Sequence, residues 1–395
     1  MTYLAIDFGG GSGRVVAGTI TTEGGRKQLH MQLVHRFQNR QVRLGDHVYW
    51  DFPALFEDMK AGLRKAAQMG LKVAGIAVDT WGVDFGLIDR QGNLVGNPVC
   101  YRDARTQGMA DHFFSHTDRT DHYAVNGTQV MEINTLFQLL SMKRANSPQL
   151  QIADRLLFTP DLFSFFLTGE ANTEYTIAST SEMLNATTRS WHWPLIDRIG
   201  LPRHLFCPIV MPGTVRGQLR ADIAEETGLG QVDVIAVGSH DTASAVAAVP
   251  AKADERPVAF ISSGTWSLLG VELDAPEFQN PKSMQQAIRG YCERQALDVP
   301  QTKADLTRVV LQSLAAKYAE ATQALNAMLP EPIKKLHIIG GGSQNKLLNR
   351  LTQQALGIPV EAGPVEATAI GNILTQALAK GEVADIHEMR SIAIV

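Results

Sequence analysis

The sequence is poor in the patterns that mark disulfide-bonded, nucleic-acid-binding and membrane proteins. Its 395 residues include only three cysteines, Cys100, Cys207 and Cys292, and their wide separation fits no disulfide or metal-binding spacing. A net charge of -4 gives no basic surface for nucleic acid. No apolar run approaches the roughly 20 residues that span a bilayer, and no leader pattern precedes the first strand. We therefore expect a cytoplasmic protein without nucleic-acid or membrane partners.

Catalytic motifs that depend on local spacing are also missing. The eleven histidines are scattered, and none belongs to an HExxH zinc motif. The early glycine-rich stretch "DFGGGSGR" matches neither a Walker A loop nor a GxGxxG fingerprint. No Lys-Ser/Thr pair follows it, and it leads into a strand pattern where those motifs lead into a helix.

Short apolar runs alternate with longer amphipathic patterns along the chain, which is typical of an α/β protein. Tyr3–Ile6 and Val15–Ile20 are predicted to form a β-hairpin around the glycines, with Met31–Phe37 as a third strand. A second series of strands and helices begins near residue 231 with "VDVIAVG". Helices are predicted at Leu55–Met69, Asn134–Arg144, Asp161–Thr168 and Ala304–Met328, and in "DTASAVAAV" and "NKLLNRLTQQAL". We predict two similarly built domains, residues 1–243 and 244–395.

The first glycine stretch is suited to holding phosphate. Glycine permits positive φ and close backbone approach, so the N–H groups of Gly10, Gly11, Ser12 and Gly13 can face phosphate oxygens. Asp7, at the start of the stretch, would then be placed to hold Mg²⁺ through water. A tight hairpin turn with a solvated aspartate is the alternative interpretation.

The stretch "VGSHDTASAVAAV" places an acidic residue at a helix start. Ser239 or Asp241 is predicted to cap the alanine-rich helix, which is the usual task of an aspartate in this position. The helix N–H groups and dipole also keep such a carboxylate ionised and oriented. Asp241 is therefore also a candidate base that accepts a proton from a sugar hydroxyl during phosphoryl transfer.

Two further glycine stretches lie in the second half of the chain. In "ISSGTWSLLG", Gly264 and Thr265 turn between two predicted strands, and an ordinary hairpin is the alternative. In "LHIIGGGSQNKLLNRL", a strand, three glycines including Gly341, and a helix start follow one another. A helix N-terminus after glycine is suited to backing an anion or a nucleotide, although the glycines would also permit close packing of helix and strand.

The order of these four stretches resembles the two phosphate elements and the adenosine element of actin-like ATPase folds. Several longer stretches resemble the FGGY carbohydrate kinases, namely "VDTWGVDFGLID", "YRDART", "INTLFQL", "TPDLFSFFLTGE", "EYTIAST", "VGSHDTASAV" and "IIGGGSQNKLLN". The resemblance implies two actin-like, ribonuclease H-like α/β domains with a nucleotide- and sugar-binding cleft between them. It also implies that ATP and Mg²⁺ are required, and that the γ-phosphoryl group passes to O1 of L-rhamnulose.

The resemblance further implies roles for individual residues. Asp241 would be the catalytic base. Contacts with ATP would come from Gly10, Gly11, Ser12, Gly13, Arg14, Gly264, Thr265 and Gly341. The sugar site would be lined by Gly82, His240, Asp241 and Thr242.

Side-chain chemistry adds candidates around the sugar. Trp81 and Phe85 offer apolar surface for the methyl end of a deoxysugar, and burial in the core is the alternative for both. Hydroxyl groups are suited to the polar side chains of Asp84, Arg102, Asp103, Asn134 and Asp161. An ordinary ion pair between Arg102 and Asp103 is the alternative for those two residues. Asp79, at a strand end, is suited to a water-mediated contact with metal or phosphate.

The sequence departs from the family after Leu273, where "DAPEFQNPKSM" arrives in place of a long segment. That segment would normally carry an Asn near the sugar and a Gln near the nucleotide. We expect the protein to contain this segment as a lid over the site. Its intact mass would then be several kilodaltons above the 43.1 kDa of the 395 residues. If the segment is absent, we expect impaired domain closure and weaker binding of the substrates.

Other functions remain open at this stage. Within the family, the alternatives are kinases for L-fuculose or a pentulose, because fold fixes chemistry better than substrate. Outside it, the alternative is a non-catalytic nucleotide-binding regulator. The expected assembly is a monomer or a weak homodimer.

Overall fold

The computed structural model describes residues 1–252, 257–263, 267–272 and 303–393. The chain divides into two compact units, one of Met1–Lys252 with Glu366–Val395 and one of Ala253–Val365. Both units mix strands and helices, so the predicted α/β class is confirmed. The last residues of the chain thus pack with its first 252, whereas the sequence assigned them to the second domain. The boundary at residue 243 stays a prediction.

The first unit is built on a six-stranded sheet with the order β13-β14-β6-β1-β2-β3. Strands β1, β2 and β3 pair antiparallel, while β6 lies parallel to β1 and β14 parallel to β6. The strands of this unit are β1 Thr2–Phe8, β2 Ser12–Glu23, β3 Arg26–Gln38, β4 Gln41–Leu44, β5 His47–Trp50, β6 Val73–Thr80, β7 Phe85–Ile88, β8 Arg155–Phe158, β9 Thr173–Glu174, β10 Leu184–Asn185, β11 Ser190–Trp191, β12 Ile209–Val210, β13 Val215–Gln218 and β14 Asp233–Ile235.

Helices cover this sheet and bury its apolar side chains. Helix α1, Phe52–Gln68, begins after Asp51, whose carboxylate accepts a hydrogen bond from the amide of Ala54, and buries a face at helical spacing. The other helices of the unit are α2 Met109–Phe114, α3 Arg119–Asn126, α4 Thr135–Arg144, α5 Pro148–Ile152, α6 Thr159–Thr168, α7 Tyr175–Ser179, α8 Trp193–Arg198, α9 Ala221–Thr227 and α10 Asp241–Ala247.

Most predicted elements of the first unit are present, and one assignment is wrong. The hairpin, the third strand and the helices at Leu55, Asn134 and Asp161 are confirmed within a few residues. The strand in "VDVIAVG" does not open a second series of elements, because β14 joins the first sheet beside β6. Local apolar patterning predicts a strand but not its partner, since pairing is a tertiary property.

The second unit contains a smaller sheet with the order β16-β15-β17-β18. Its strands are β15 Val258–Ser263, β16 Ser267–Glu272, β17 Leu336–Ile339 and β18 Val360–Ala362, and its helices are α11 Lys303–Asn326 and α12 Lys346–Leu356. As in the first unit, an antiparallel hairpin is followed by strands that pair parallel with it. Ile261, Leu336 and Ile338 form the centre of its core.

The chain ends with two helices that belong to the first unit, α13 Ala367–Ala379 and α14 Ile386–Ile392. Helix α13 is buried along most of its length and packs against α10 and β1. Across the described residues, no helix has the length and apolar character needed to cross a membrane.

Candidate active site

Two acidic residues lie side by side where neighbouring strands end. In the parallel pairing of β1 with β6, Asp7 stands opposite Asp79. Asp7 is 6% exposed and Asp79 is fully buried. Carboxyl ends of parallel strands are the usual place for ligand sites in α/β folds, so this pair marks the start of the candidate site.

Arg14 neutralises part of this acidic pair from across the hairpin. It stands opposite Asp7 in the β1–β2 pairing, and its Nε and Nη2 donate to Oδ2 of Asp7 at 2.8 and 2.6 Å. Its Nη1 forms an ion pair with Glu366. Burial opposes the charge of Arg14, but the two carboxylates outweigh it and raise its pKa. The guanidinium is therefore fixed at the base of the glycine hairpin.

Asp79 has one hydrogen-bonded and one unpartnered carboxyl oxygen. The side-chain amide of Asn372, on α13, donates to its Oδ2 at 2.5 Å, whereas its Oδ1 has no hydrogen-bond partner in the described part of the chain. Burial and the neighbouring charge of Asp7 raise the pKa of Asp79 well above its ordinary value. An unpartnered buried oxygen beside a second carboxylate can act as a ligand to a cation, or accept a hydrogen bond from the cation's bound water.

The hairpin glycines follow Asp7 in the turn between β1 and β2. A Cβ on Gly11 would meet nothing within 4 Å, whereas one on Gly10 would make ordinary contact with Arg102 and Tyr101. Gly13 is required for packing, because a Cβ there would collide with the ring of Phe37. None of these three glycines adopts positive φ, so close approach is the reason for glycine at this turn, and not backbone handedness.

Asp241 is the first residue of α10, and its carboxylate remains largely available. Its Oδ1 accepts hydrogen bonds from the amide and hydroxyl of Thr242 at 2.6 and 3.2 Å. His240 Nε2 lies 3.6 Å from the same oxygen. The Asp241 side chain is 33% exposed. Burial raises the pKa of Asp241, while His240 lowers it in part. A partly exposed carboxylate with a raised pKa is suited to accepting a proton.

The predicted helix cap is wrong. His240 occupies the cap position of α10, and no side chain caps this helix. Ser239 donates instead to the carbonyl of Val237 at 3.2 Å, and Asp241 lies inside the first turn. Because Asp241 does not cap the helix, its carboxylate is available to a ligand.

The loop between β6 and β7 carries the predicted sugar-binding residues Trp81 and Gly82. The Trp81 ring lies against that of Trp50, with centroids 4.1 Å apart. A Cβ on Gly82 would come within 2.9 Å of the Thr180 side chain, so glycine is required here. Val83 follows with a φ of 69°, a strained conformation for a β-branched residue.

Asp84 holds this loop, and its oxygens are fully used. Its Oδ2 accepts from the indole N–H groups of Trp50 and Trp81 at 2.6 and 3.0 Å and from the amide of Tyr101 at 3.1 Å. Its Oδ1 accepts from Gln138 at 3.0 Å. Four donors leave little capacity for a sugar hydroxyl, so Asp84 orients the tryptophans.

Arg102 lies beside the glycine hairpin. A Cβ on Gly10 would stand 3.7 Å from Arg102 Nη2, and the guanidinium packs over the Tyr101 ring at 5.3 Å. The alternative ion pair with Asp103 is not formed, because Asp103 accepts from His47 Nδ1 and the amide of Val48 at 3.1 and 2.8 Å. Arg102 is exposed and faces the turn where phosphate would lie.

Other sequence candidates are buried in protein contacts. Trp81 and Phe85 are 6% and 4% exposed, so most of their surface lies in the core. Asn134 is fully buried and donates to Gln129 O and Glu182 Oε1 at 2.9 and 2.6 Å. Asp161 pairs with Arg216 at 2.7 Å and is 1% exposed. Asp161 therefore supports the fold through this ion pair, while its Oδ2 has no hydrogen-bond partner among the described residues.

The remaining candidates belong to the second unit. Gly264 and Thr265 lie outside the described residues. Gly341 opens a 3₁₀ turn, Gly341–Gln344, and a Cβ there would meet nothing within 4 Å. Gly340 and Gly342 pack closely on Ser263, which is the role the sequence offered as the alternative for these glycines. Only Gly341 of the three faces open space.

Several residues of the site had no signal in the sequence. Trp50, Gln138, Glu366 and Asn372 reach it from distant positions, and each looks ordinary in its own segment. The sequence offered one indication: an asparagine and a glutamine, Asn372 and Gln376, stand four residues apart in a mostly apolar helix. Within the described residues, no group of three or more His, Cys, Asp or Glu side chains is arranged to hold a metal ion directly.

Proteins named rhamnulokinase are similar to this chain over nearly its full length. The chain is 39% identical to the rhamnulokinase of Bacteroides thetaiotaomicron, over 99% of this chain and 93% of that protein. It is 36% identical to the rhamnulokinase of Pectobacterium atrosepticum, over 98% and 90%. The first match extends over 457 positions, more than the 395 residues of this chain, so that relative carries sequence that this chain lacks.

Comparison with solved structures confirms the fold predicted for this chain. A xylulose kinase from Lactobacillus acidophilus matches with a TM-score of 0.80 at 13% identity, over 99% of this chain and 92% of that one. A glycerol kinase from Plasmodium falciparum, solved with ADP, matches with a TM-score of 0.78 at 14% identity over the same shares.

The resemblance seen in the motifs is confirmed by family models. The model for the N-terminal domain of FGGY carbohydrate kinases matches residues 2–248, and the model for their C-terminal domain matches residues 273–380. The chain belongs to the FGGY family of carbohydrate kinases.

Proposed function

We propose that this protein transfers the γ-phosphoryl group of ATP to O1 of L-rhamnulose. The observation that carries the proposal is the Asp241 carboxylate, partly exposed and with a raised pKa, at the start of α10 beside His240. The acceptor follows from the near-full-length similarity to proteins named rhamnulokinase.

In the proposed step, the O1 hydroxyl attacks the γ-phosphorus of ATP in line with the leaving group. A new O1–P bond forms, the bond to the β–γ bridging oxygen breaks, and ADP leaves with that electron pair. The hydroxyl proton passes to Asp241, whose Oδ2 accepts no hydrogen bond from the described residues. The raised pKa of Asp241 favours holding this proton until the product leaves.

The glycine hairpin is proposed to hold the phosphates. The backbone N–H groups of Gly10, Gly11, Ser12 and Gly13 lie at a turn that leaves room for an anion near Gly11. Arg14 is engaged by Asp7 and Glu366, so its proposed contact with ATP depends on the hydrogen atoms not used in those pairs. The contacts of Gly264, Thr265 and Gly341 with the nucleotide stay predictions.

Mg²⁺ is proposed to bind at Asp7 and Asp79. The unpartnered buried Oδ1 of Asp79 and the adjacent carboxylate of Asp7 are hard oxygen donors of the kind this ion takes. When bound, the ion neutralises charge on the transferred phosphate. Two carboxylates suit an ion that keeps part of its water shell.

The sugar is proposed to bind near Trp81, Gly82, His240 and Thr242, with Arg102 reaching a hydroxyl. Asn134 is a weaker member of this set, because both of its donor hydrogens are already used within the protein. Its buried Oδ1 has no partner in the described part of the chain and is the atom left for a ligand. The lid segment expected after Leu273 and the cytoplasmic, monomeric or weakly dimeric state stay predictions.

The test is ADP release with ATP and Mg²⁺ across L-rhamnulose, L-fuculose and pentuloses, with each product analysed for the site of phosphorylation. The proposal predicts the highest kcat/KM with L-rhamnulose and a 1-phosphate product. Preference for another ketose would reassign the substrate within the family. Binding of ATP without phosphorylation of any ketose would overturn the catalytic proposal and favour a regulator.

A further inference from the structure

The loop that leads into Asp241 is held by two side chains from a separate short helix. The amide of Ser239 donates to Glu174 Oε2 at 3.1 Å, and the amide of His240 donates to Thr176 Oγ1 at 3.2 Å. These are the last two backbone N–H groups before Asp241. A loop held at both of these amides has little freedom to move the carboxylate that follows.

The two acceptors are themselves locked together. Thr176 Oγ1 donates to Glu174 Oε2 at 2.6 Å, and the Thr176 amide donates to Oε1 at 2.8 Å. The Ile177 amide donates to Oε2 at 3.1 Å, so Glu174 also caps α7. Glu174 is fully buried, and its own amide donates to Asp161 Oδ1 at 3.1 Å. The support is thus rigid on the side facing the loop.

The opposite edge of the loop is fixed to the central sheet. The carbonyl of Ser239 accepts a hydrogen bond from the amide of Thr80 at 2.9 Å, and Thr80 follows Asp79 directly. The loop before Asp241 is therefore held between α7 and the end of β6. A change on the α7 side would let Asp241 move relative to Asp79 and Asp7.

These contacts also fix the chain where it enters α10. No side chain caps α10, so its entry geometry depends on bonds from outside the helix. A reacting group must stay within a fraction of an ångström of its productive position, and displacement by about 1 Å costs up to about 10²-fold in rate. Support of this kind would therefore be visible in turnover.

We propose that Glu174 and Thr176 are positioning residues that hold the Ser239–His240 backbone and thereby orient the Asp241 carboxylate. The proposal rests on Asp241 acting as the base. Their proposed effect passes through the two backbone hydrogen bonds to Ser239 and His240.

Thr176→Val tests this, because valine keeps the shape but removes the oxygen that serves His240 and Glu174. We expect kcat with L-rhamnulose and ATP to fall about tenfold or more, with the KM for ATP changed less than twofold. Thr176→Ser retains the oxygen and should recover most of the loss. If Thr176→Val does not fold, Thr176→Ala serves the same comparison with Thr176→Ser.

Thr168→Val is the matched control. Like Thr176 Oγ1, Thr168 Oγ1 donates one hydrogen bond and accepts one: it donates to the carbonyl of Ser164 at 2.8 Å and accepts from the amide of Glu170 at 3.0 Å. Its loss should reduce stability without changing kcat. Equal kcat values for Thr176→Val and the parent, or equal losses for Thr176→Val and Thr168→Val, would overturn the positioning role.

The pH profile separates positioning from general weakening. Asp241 is faced by His240 from its own loop and by Asp7 and Asp79 from the strand ends. Moving Asp241 changes its distance from His240, which lowers its pKa, and from Asp7, which raises it, so the acidic limb of kcat should shift in Thr176→Val but stay in place in Thr168→Val. The Asp241→Asn variant distinguishes failure of the base assignment from failure of the positioning proposal. If Asp241→Asn turns over normally, the base assignment fails, whereas a loss there without one in Thr176→Val refutes only this inference.

Discussion

The side-chain amide of Asn372 donates a 2.5 Å hydrogen bond to the Asp79 carboxylate from a helix near the end of the chain. Asn372 Oδ1 in turn accepts from Gln376 at 2.8 Å, and Gln376 donates to the carbonyl of Leu4 at 3.0 Å. All three side chains are fully buried. Helix α13 is thus joined by buried polar bonds to the strands that carry the acidic pair.

Asn372→Leu should therefore affect both stability and nucleotide use. Removing this donor leaves both oxygens of a buried carboxyl without partners, which costs about 1–3 kcal/mol. It also removes a bond that lowers the pKa of Asp79, so that pKa should rise further. We expect a lower midpoint of chemical unfolding and a higher KM for MgATP.

Thr375→Val is the control for this prediction. It breaks a buried bond within the same helix, to the carbonyl of Gly371 at 2.7 Å, that involves neither Asp79 nor Asn372, so it should lower stability but leave the KM for MgATP unchanged. Equal KM values for Asn372→Leu and the parent would separate Asn372 from the nucleotide site.

The contrast between Asp7 and Asn372 shows what the sequence reveals. Asp7 lies near the end of a mostly apolar strand that leads into a glycine turn, and this unusual local combination predicted both the hairpin and a site. Asn372 and Glu366 gain their meaning only when the chain end packs against β1 and β2, which no local pattern encodes. Asp84 shows a third outcome. The position of Asp84 in the loop was visible in the sequence, but three of its four donors come from other segments, so its structural role was not.

Asp241→Asn preserves the shape of the side chain but removes the proton acceptor. We expect kcat to fall by about 10² or more, the usual scale for a general base, with the Kd for ATP little changed. Steady-state kinetics and equilibrium ATP titration measure the two effects. Near-parental turnover would exclude Asp241 as the base.

Asp7→Ala should raise the Mg²⁺ requirement. The substitution removes one of two adjacent carboxylates and leaves Arg14 paired only with Glu366, so the cation site becomes more positive. Activity measured against Mg²⁺ at fixed ATP should shift to higher concentration. The exposed Asp46 provides the control substitution, Asp46→Ala, which should not change the curve. Superimposable curves for Asp7→Ala and the parent would argue against this placement.

Trp50→Phe should weaken sugar binding selectively. It removes the 2.6 Å indole bond to Asp84 and loosens the ring against which Trp81 packs. We expect the KM for the ketose to rise severalfold while the KM for ATP stays constant. Trp191→Phe loses a comparable buried indole bond, to the carbonyl of Cys207 at 2.8 Å, and should affect only stability. A matching rise in ketose KM for both variants would refute a specific role for Trp50.

Buried carboxyl groups beneath the Asp241 loop should make stability depend on pH. Burial and the nearby Asp161 charge raise the pKa of Glu174 from its ordinary 4.5 to about 7. Between these values the folded protein binds a proton that the unfolded chain releases. The free energy of unfolding contributed by Glu174 is therefore highest below pH 4.5 and falls as pH rises towards 7.

Glu174→Gln removes this titration, because glutamine is uncharged throughout. Its Tm should fall less steeply than that of the parent between pH 5 and about 7.5, although it loses hydrogen bonds at every pH. The exposed Glu225→Gln should retain the slope of the parent. Thermal unfolding in a pH series measures all three proteins. Parallel curves for Glu174→Gln and the parent would mean that Glu174 does not titrate in this window, and the pH dependence would then rest on Asp161, whose pKa burial raises to about 6.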